Sequence, residues 1–163
     1  MAKTTPFAIV LVNPEIPQNT GNIARLCAAT GSELHLVGKL GFSLDEKAVR
    51  RAGLDYWHLV KVYTHENFNS CMEHLNEGNP IIFSSRGQKS YTEAPFIKGS
   101  TLVYGAESVG LPSEITDKYS NNLYGIPTLS NTVRSLNLAN SVAITLYKGL
   151  ESIDAFNILK LMP

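Results

Sequence analysis

Three polar segments of this chain carry the residue types that could do chemistry. They span residues 19–25, 105–112 and 126–140, and between them they hold an arginine, a glutamate and several asparagines. Each segment follows a strand-like apolar run and leads into a helix-like pattern. Because ligands bind at the carboxyl ends of strands in open α/β sheets, we expect the three segments to meet in one site.

Single residues in these segments allow more than one interpretation. Arg25 lies off the apolar face of its helix, so its guanidinium is expected to point outward, either toward a ligand or into solvent. Asn19 is either a helix cap or a site residue, and Glu107 is either a helix-start charge or a site residue. Asn137 lies at the start of an apolar helix, where it costs helix propensity, and this favours a buried polar role or a cap.

Several common enzyme classes are excluded by what the segments lack. The 105–112 segment has the G-x-x-x-x-G spacing of a phosphate loop, but Leu111 and Pro112 stand where Lys and Ser/Thr are required. No GxGxxG follows the first strand-like run, so the dinucleotide fingerprint is missing. Ser108 resembles a nucleophile elbow, but all four histidines precede it, so a hydrolase triad of that fold is excluded.

Apolar runs and helical stripes alternate from one end of the chain to the other. They predict strands at 7–12, 33–37, 56–63, 80–85, 101–105 and 123–126, and helices at 20–30, 43–51, 68–75, 112–119 and 136–150, with an exposed polar loop at 86–90. This alternation predicts an α/β fold, a mostly parallel sheet with helices on both faces. We expect a single domain over residues 1–163.

Composition limits the partners of the chain. Its 163 residues carry 14 Lys and Arg against 14 Asp and Glu, so a polyanion must be met by a local patch. Cys27 and Cys71 lie far apart, and with no Cys/His cluster visible we expect no metal site and no disulfide. The first residues lack the apolar core of a signal peptide, so we expect a cytoplasmic protein without a membrane partner.

The three segments together resemble the motifs of the SPOUT RNA methyltransferases, in their SpoU/TrmH branch. The first matches N-x-G-x-x-x-R, the second matches G-x-E-x-x-G-L, and the third matches an I-P…S-L-N helix motif. Within this branch, residues 14–22 and 50–56 are especially similar to the single-domain enzymes that methylate the ribose of the tRNA wobble nucleotide. The resemblance covers about residues 7–150, nearly the whole chain.

The resemblance implies features that the residue pattern alone does not. Proteins of this family tie the C-terminal part of the sheet in a trefoil knot, form homodimers, and bind S-adenosyl-L-methionine in the knot, without a metal. By motif position, the cofactor-binding residues are Phe83, Gly105, Ile126 and Ser135. Gly105 allows the backbone to approach a ligand closely.

The implied reaction is methyl transfer to a ribose 2'-hydroxyl. Arg25 matches the arginine often proposed to activate that hydroxyl, but a guanidinium keeps its proton near neutral pH. Orienting a phosphate is chemically easier, and both roles stay open. Asn19, Glu107 and Asn137 complete the predicted catalytic set by shaping and positioning the site.

The implied partner is tRNA, through its anticodon stem-loop. Local cations would have to meet it, and the candidates are Arg25, Lys47, Arg50, Arg51, Arg86, Lys89 and Arg134. Two alternatives stay open. One is the same chemistry on ribosomal RNA, and the other is a non-catalytic RNA-binding protein that keeps the fold.

Overall fold

All strands of the described chain belong to one parallel sheet. The structure, a computed structural model, describes residues 5–45, 47, 51 and 56–161. The strands are β1 (Phe7–Val12), β2 (Glu33–Val37), β3 (Val62–His65), β4 (Pro80–Phe83), β5 (Lys89–Ser90), β6 (Ser100–Tyr104) and β7 (Leu123–Gly125). Their order is β3-β2-β1-β6-β4-β7-β5, and every pairing is parallel. The predicted parallel α/β sheet is confirmed.

In the part of the chain that the structure describes, three α-helices with defined bounds connect strands and a fourth follows β7. They are α1 (Pro17–Thr30), α2 (Phe68–His74), α3 (Ser113–Lys118) and α4 (Leu138–Ser152). Short 3-10 turns lie at Trp57–Leu59, Tyr91–Glu93, Ser120–Asn122 and Ala155–Asn157. Helix α1 begins three residues earlier than predicted because Pro17 takes the first helical position, where a missing N–H costs nothing. None of the described helices is long and apolar enough to cross a membrane.

Strand β1 shows why helices must cover both faces of the sheet. All six of its residues are buried, and alternate side chains enter two different apolar clusters. Helices α1 and α4 cover one face, with core residues that include Ile23 and Leu146. Helices α2 and α3 cover the other face, through residues that include Cys71 and Ile115. The predicted two-faced architecture is confirmed.

Strand β7 is inserted between two strands that precede it. Strand β4 ends at Phe83, which pairs with Tyr124, and β5 begins on the other side of Tyr124. The connection 84–88 therefore crosses β7, and a Cβ on Gly87 would lie 2.3 to 2.6 Å from the backbone of Tyr124 and Gly125. Such an insertion is compatible with a threaded chain. The trefoil knot itself stays a prediction.

Two local predictions are wrong. The 56–63 stretch is a 3-10 turn followed by β3, because only residues from Val62 onward find partners in β2. The 86–90 stretch is not wholly a loop, because its last two residues pair with β7 as the short strand β5. Of the predicted helix at 43–51, residues 43–45 are not helical, residues 47 and 51 are helical, and residues 46 and 48–50 lie outside the described residues.

Candidate active site

A cavity of about 810 Å³ opens at the carboxyl ends of β4, β6 and β7. It is lined by the residues that end these strands and by the segments that follow them, including 83–86, 104–111, 124–126 and 134–138. Small-molecule sites have volumes of roughly 300 to 1,000 Å³. This edge is where an open parallel sheet binds its ligands, so the cavity is the candidate active site.

The loop after β6 is folded tightly against itself. Ala106 and Gly110 exchange backbone hydrogen bonds of 3.2 and 2.9 Å. A Cβ on Gly105 would lie 2.3 Å from the carbonyl carbon of Gly110 and from the nitrogen of Leu111. Position 105 therefore accepts only glycine while this loop keeps its shape.

The predicted polar residues form a connected hydrogen-bond network. The Asn137 side chain donates to Asn19 Oδ1 at 3.0 Å, and Asn19 Nδ2 donates to Glu107 Oε1 at 3.2 Å. The Glu107 carboxylate also accepts the backbone N–H groups of Glu15 and Ile16, at 2.8 and 3.1 Å. Glu107 thus caps the amino end of α1, where a negative charge is stabilising.

Asn137 has a second role in the same place. Its Oδ1 accepts the backbone N–H of Asn140 at 3.2 Å, so it is the N-cap of α4. One asparagine side chain therefore starts α4 and holds Asn19 of α1. The predicted cap is confirmed and explains the cost of Asn137 in helix propensity. The predicted burial is wrong, because Asn137 is exposed and it is its partner Asn19 that is buried.

A second set of hydrogen bonds joins the residues before α1 to the loop after β6. Here the acceptor lies before α1 and the donors lie in the loop. Glu15 Oε1 accepts both the backbone N–H and the hydroxyl of Ser108, at 3.3 and 2.6 Å. Arg134 donates to the Ser108 carbonyl at 2.9 Å. The start of α1, the loop after β6 and the segment before α4 are thereby fixed to one another. Glu15 was not among the predicted site residues, although it lies in the 14–22 stretch that resembles the family.

An aromatic wall closes the inner side of the cavity. The rings of Phe83 and Tyr104 stack with centroids 5.2 Å apart and planes at 16°. The Tyr104 hydroxyl is hydrogen-bonded to Thr145 at 2.6 Å, and burial raises the pKa of Tyr104 above its usual range. Tyr104 lines the cavity but was not predicted, because its position in the sequence is typical of a buried strand residue.

Seven of the eight predicted site residues line this cavity. They are Asn19, Phe83, Gly105, Glu107, Ile126, Ser135 and Asn137. The cavity also has two exposed arginines in its lining, Arg86 and Arg134. The expectation that the three segments meet in one place at the carboxyl edge of the sheet is confirmed.

Arg25 is the predicted site residue that does not line the cavity. It lies six positions after Asn19, which corresponds to about 9 Å along the helix and about 240° around its axis. Arg25 is exposed as predicted, but its guanidinium lies 5.0 Å from the centroid of the Tyr56 ring, a cation–π contact. Its side chain is therefore held against a partner that the sequence did not indicate.

The fold also brings together residues that the sequence keeps apart. One ligand atom each from His35, His65 and Cys71 lie within 4.8 Å of one another, outside the cavity lining. The expectation that the chain has no Cys/His cluster is wrong for the folded molecule. Two strands and a helix supply these residues, so no local spacing motif in the sequence indicates the cluster.

Comparison with known proteins agrees with the site geometry. The model of the SpoU rRNA methylase family matches residues 6–147, a range that includes every residue predicted for the site. The chain belongs to the SpoU rRNA methylase family. The family resemblance seen in the three sequence segments is confirmed.

Relatives of this SpoU-family chain are named for a specific reaction. A tRNA (cytidine(34)-2'-O)-methyltransferase from Methylovorus glucosotrophus is 44% identical over 149 residues, covering 91% of this chain and 96% of the relative. A solved structure described as giving insights into the 2-OH methylation of C/U34 on tRNA is 42% identical, with a TM-score of 0.83. The match covers 91% of this chain and 97% of the chain in that structure.

More distant members share the fold. An AdoMet-bound rRNA methyltransferase from Sinorhizobium meliloti is 23% identical, with a TM-score of 0.78, and the match covers 91% of this chain and 58% of the other. At this identity the likeness shows the SpoU fold alone.

Proposed function

We propose that this chain transfers a methyl group from S-adenosylmethionine to the ribose 2'-hydroxyl of the wobble nucleotide, a cytidine or modified uridine, in tRNA anticodon loops. The proposal rests on the agreement between the cavity lining and the sequence identity to a relative. Seven predicted site residues line one cavity, and nearly the whole chain aligns at 44% identity with a tRNA (cytidine(34)-2'-O)-methyltransferase.

The residues of the cavity fit S-adenosylmethionine. Its volume is ample for a nucleoside-sized ligand. Phe83, Tyr104 and Ile126 offer apolar surface to an adenine ring, while Gly105 and Ser135 bring polar groups to the lining. The 105–110 loop excludes any side chain at position 105, so a ligand meets bare backbone there.

The chemistry divides between the cofactor and the chain. When bound, the cofactor supplies an electrophilic methyl group carried on a sulfonium. The ribose oxygen would form the new bond to that carbon as the sulfur–carbon bond breaks, with its electron pair left on sulfur, and the hydroxyl proton would pass to water. The chain has to hold the hydroxyl in line and exclude other nucleophiles.

Glu107 is poorly suited to take the hydroxyl proton. Its two oxygens already accept hydrogen bonds from Glu15, Ile16 and Asn19. We assign Glu107, Asn19 and Asn137 to positioning of the loop and of the two helices. Arg25 is the residue we assign to the substrate, where a guanidinium that orients a phosphate beside the 2'-hydroxyl needs no pKa depression.

Exposed apolar side chains favour a homodimer. Large apolar side chains at the rim of the cavity and beside it are strongly exposed: Val109 and Leu129 at 77%, and Val133 at 57%. A second apolar patch lies on α4 and the turn after it, where the Tyr147 and Phe156 rings are 6.3 Å apart. Exposed apolar patches of this kind mark interfaces. Sedimentation of the purified chain tests the dimer.

Cations near the cavity are arranged for an RNA backbone. Arg86 and Arg134 are exposed in its lining, Lys89 is exposed nearby, and Lys47 and Arg51 are exposed elsewhere, whereas Arg50 falls outside the described residues. With zero net charge, binding should depend on these local contacts and on the shape of the stem-loop. A tRNA substrate also agrees with the cytoplasmic location expected from the sequence.

A transfer assay tests the reaction and the substrate together. The chain is incubated with methyl-labelled S-adenosylmethionine and bulk tRNA from a strain that lacks wobble 2'-O-methylation. Label at the 2'-oxygen of the wobble nucleotide supports the proposal. An anticodon stem-loop with a 2'-deoxy wobble nucleotide is the matched control, and it should accept no label.

The same assay separates the two alternatives. Transfer only to ribosomal RNA would replace the substrate and keep the chemistry. No transfer to either RNA, with cofactor binding confirmed by calorimetry, would leave the non-catalytic RNA-binding protein.

A further inference from the structure

A cluster of histidines and a cysteine lies between the sheet edge and α2. His35 belongs to β2, His65 ends β3, and Cys71 lies in α2. His35 Nδ1 and His65 Nε2 are 2.9 Å apart, and Cys71 Sγ belongs to the same 4.8 Å group. None of the three lines the cavity, so the proposed methyl transfer does not explain why they converge.

We propose that His35, His65 and Cys71 bind a zinc ion. Two imidazoles and a thiolate are the ligands that Zn²⁺ prefers, at Zn–N distances near 2.1 Å and a Zn–S distance near 2.3 Å. A tetrahedral ion with these bond lengths separates its ligand atoms by about 3.4 to 3.6 Å. The two histidine nitrogens are closer than this, at 2.9 Å, and all three ligand atoms lie within 4.8 Å of one another. Half-buried His65 can move to accommodate the ion.

The surroundings hold the ligands in place. The His35 ring is fully buried and stacks on Tyr63, with centroids 4.8 Å apart and planes at 13°. Helix α2 begins with a reciprocal cap in which Asn67 accepts the Ser70 N–H and Ser70 accepts the Asn67 N–H. This cap fixes the turn that carries Cys71.

Charge also favours an ion in this position. A Glu33 oxygen lies 3.5 Å from His35 Nε2, the nitrogen that faces away from His65. Carboxylates in this position orient metal-bound histidines and raise their basicity. One thiolate and the Glu33 carboxylate balance the two charges of Zn²⁺, so the site would be neutral overall.

The cluster lies beside an exposed histidine. The His74 ring centroid is 5.2 Å from that of His65 and 5.6 Å from that of His35. His74 is not among the three residues whose ligand atoms lie within 4.8 Å of one another, so water is the expected fourth ligand and would reach the ion from this side. Because β2, β3 and α2 each supply a ligand, bound zinc would crosslink the sheet edge to its covering helix.

Binding should release a proton. A cysteine thiol is mostly protonated at neutral pH before an ion arrives. Zn²⁺ binds the thiolate and displaces that proton. Calorimetry in buffers of different ionisation enthalpy should therefore show release of about one proton per ion.

Titration of the chelator-treated full chain with Zn²⁺ and with Co²⁺ tests the proposal. We expect one ion per chain, a thiolate-to-cobalt charge-transfer band, and the visible bands of tetrahedral cobalt. Zn²⁺ should also raise the melting temperature. Absence of binding by calorimetry, or a cobalt complex without the thiolate band, overturns the proposal and leaves a hydrogen-bonded histidine pair.

Matched variants locate the ion. Cys71→Ser and His65→Gln should abolish the cobalt spectrum, whereas Cys27→Ser on the opposite face of the sheet and His58→Gln at an exposed position should retain it. Glu33→Gln should weaken zinc binding about 10- to 100-fold. Zinc binding that survives Cys71→Ser unchanged overturns the assignment. The unaltered chain decides the question should a variant fail to fold.

Discussion

The two parts of α1 that carry predicted site residues are held in different ways. At the amino end, Asn19 is buried and belongs to a network that also contains Glu107 and Asn137. About 9 Å further along the helix, Arg25 lies on the exposed face and its guanidinium lies against the Tyr56 ring. Within the described residues, hydrogen bonds hold the first position and a cation–π contact holds the second.

This difference separates cofactor binding from substrate handling. The cavity that would hold S-adenosylmethionine is lined by three segments of one chain, which hydrogen-bond to one another. Arg25 stands outside that cavity, so its chemistry requires a group brought by the RNA or by a second copy of the chain. Variants on the two sides should therefore fail in different ways.

Gly105→Val should produce the largest effect, because it disrupts the cavity itself. A Cβ at this position lies 2.3 Å from the Gly110–Leu111 backbone, so the loop must open. We expect cofactor binding and methyl transfer to disappear together, as measured by calorimetry and by label transfer. Gly110→Ala is the control, because a Cβ there meets nothing within 4 Å, and its cost is backbone strain at φ 70°. A normal cofactor titration of Gly105→Val would refute the assigned pocket.

Arg25→Ala should abolish transfer while cofactor binding stays nearly unchanged. Removing a group that positions charge at a reacting centre costs about 10²- to 10³-fold in rate. Arg25→Lys keeps the charge but loses the planar fork, so it should recover only part of that rate. Single-turnover kinetics with saturating cofactor measure both variants. Unchanged turnover of Arg25→Ala would remove Arg25 from the mechanism.

Glu107→Ala should loosen the network and lower stability. Three donors, the N–H groups of Glu15 and Ile16 and the Asn19 amide, lose their acceptor together. We expect the free energy of unfolding to fall by about 2 to 3 kcal/mol, measured by urea titration. Glu114→Ala, at an exposed position of α3, should change it by less than about 0.5 kcal/mol. Equal losses in the two variants would show that Glu107 is an ordinary surface charge.

Much of the fold and of the cavity was predictable from local pattern. Six consecutive apolar residues in β1 indicate a strand buried on both faces, and the Ile23 and Cys27 spacing indicates the inner face of α1. The strand-to-helix positions of the three polar segments led to one edge of the sheet. These features depend on residues that are close in sequence, and therefore local sequence patterns predict them.

The remaining features depend on contacts between distant residues. Lys89–Ser90 is polar and only two residues long, and it becomes a strand because β7 lies beside it. The Tyr56 contact with Arg25 joins residues 31 positions apart, and the cluster of His35, His65 and Cys71 joins two strands and a helix. No local periodicity encodes such pairs, since tertiary packing alone brings them together.

Tyr56→Leu should have the smallest effect, because it removes only the cation–π contact of Arg25. Leucine keeps apolar bulk but removes the ring over which the Arg25 guanidinium lies. A cation–π contact at an exposed site contributes about 0.5 to 1 kcal/mol, so we expect the transfer rate to fall about two- to fivefold with cofactor affinity unchanged. Tyr56→Phe keeps the ring and should retain the rate. Equal rates in Leu and Phe variants would mean that the ring does not hold Arg25 for catalysis, and that the RNA alone orients the guanidinium.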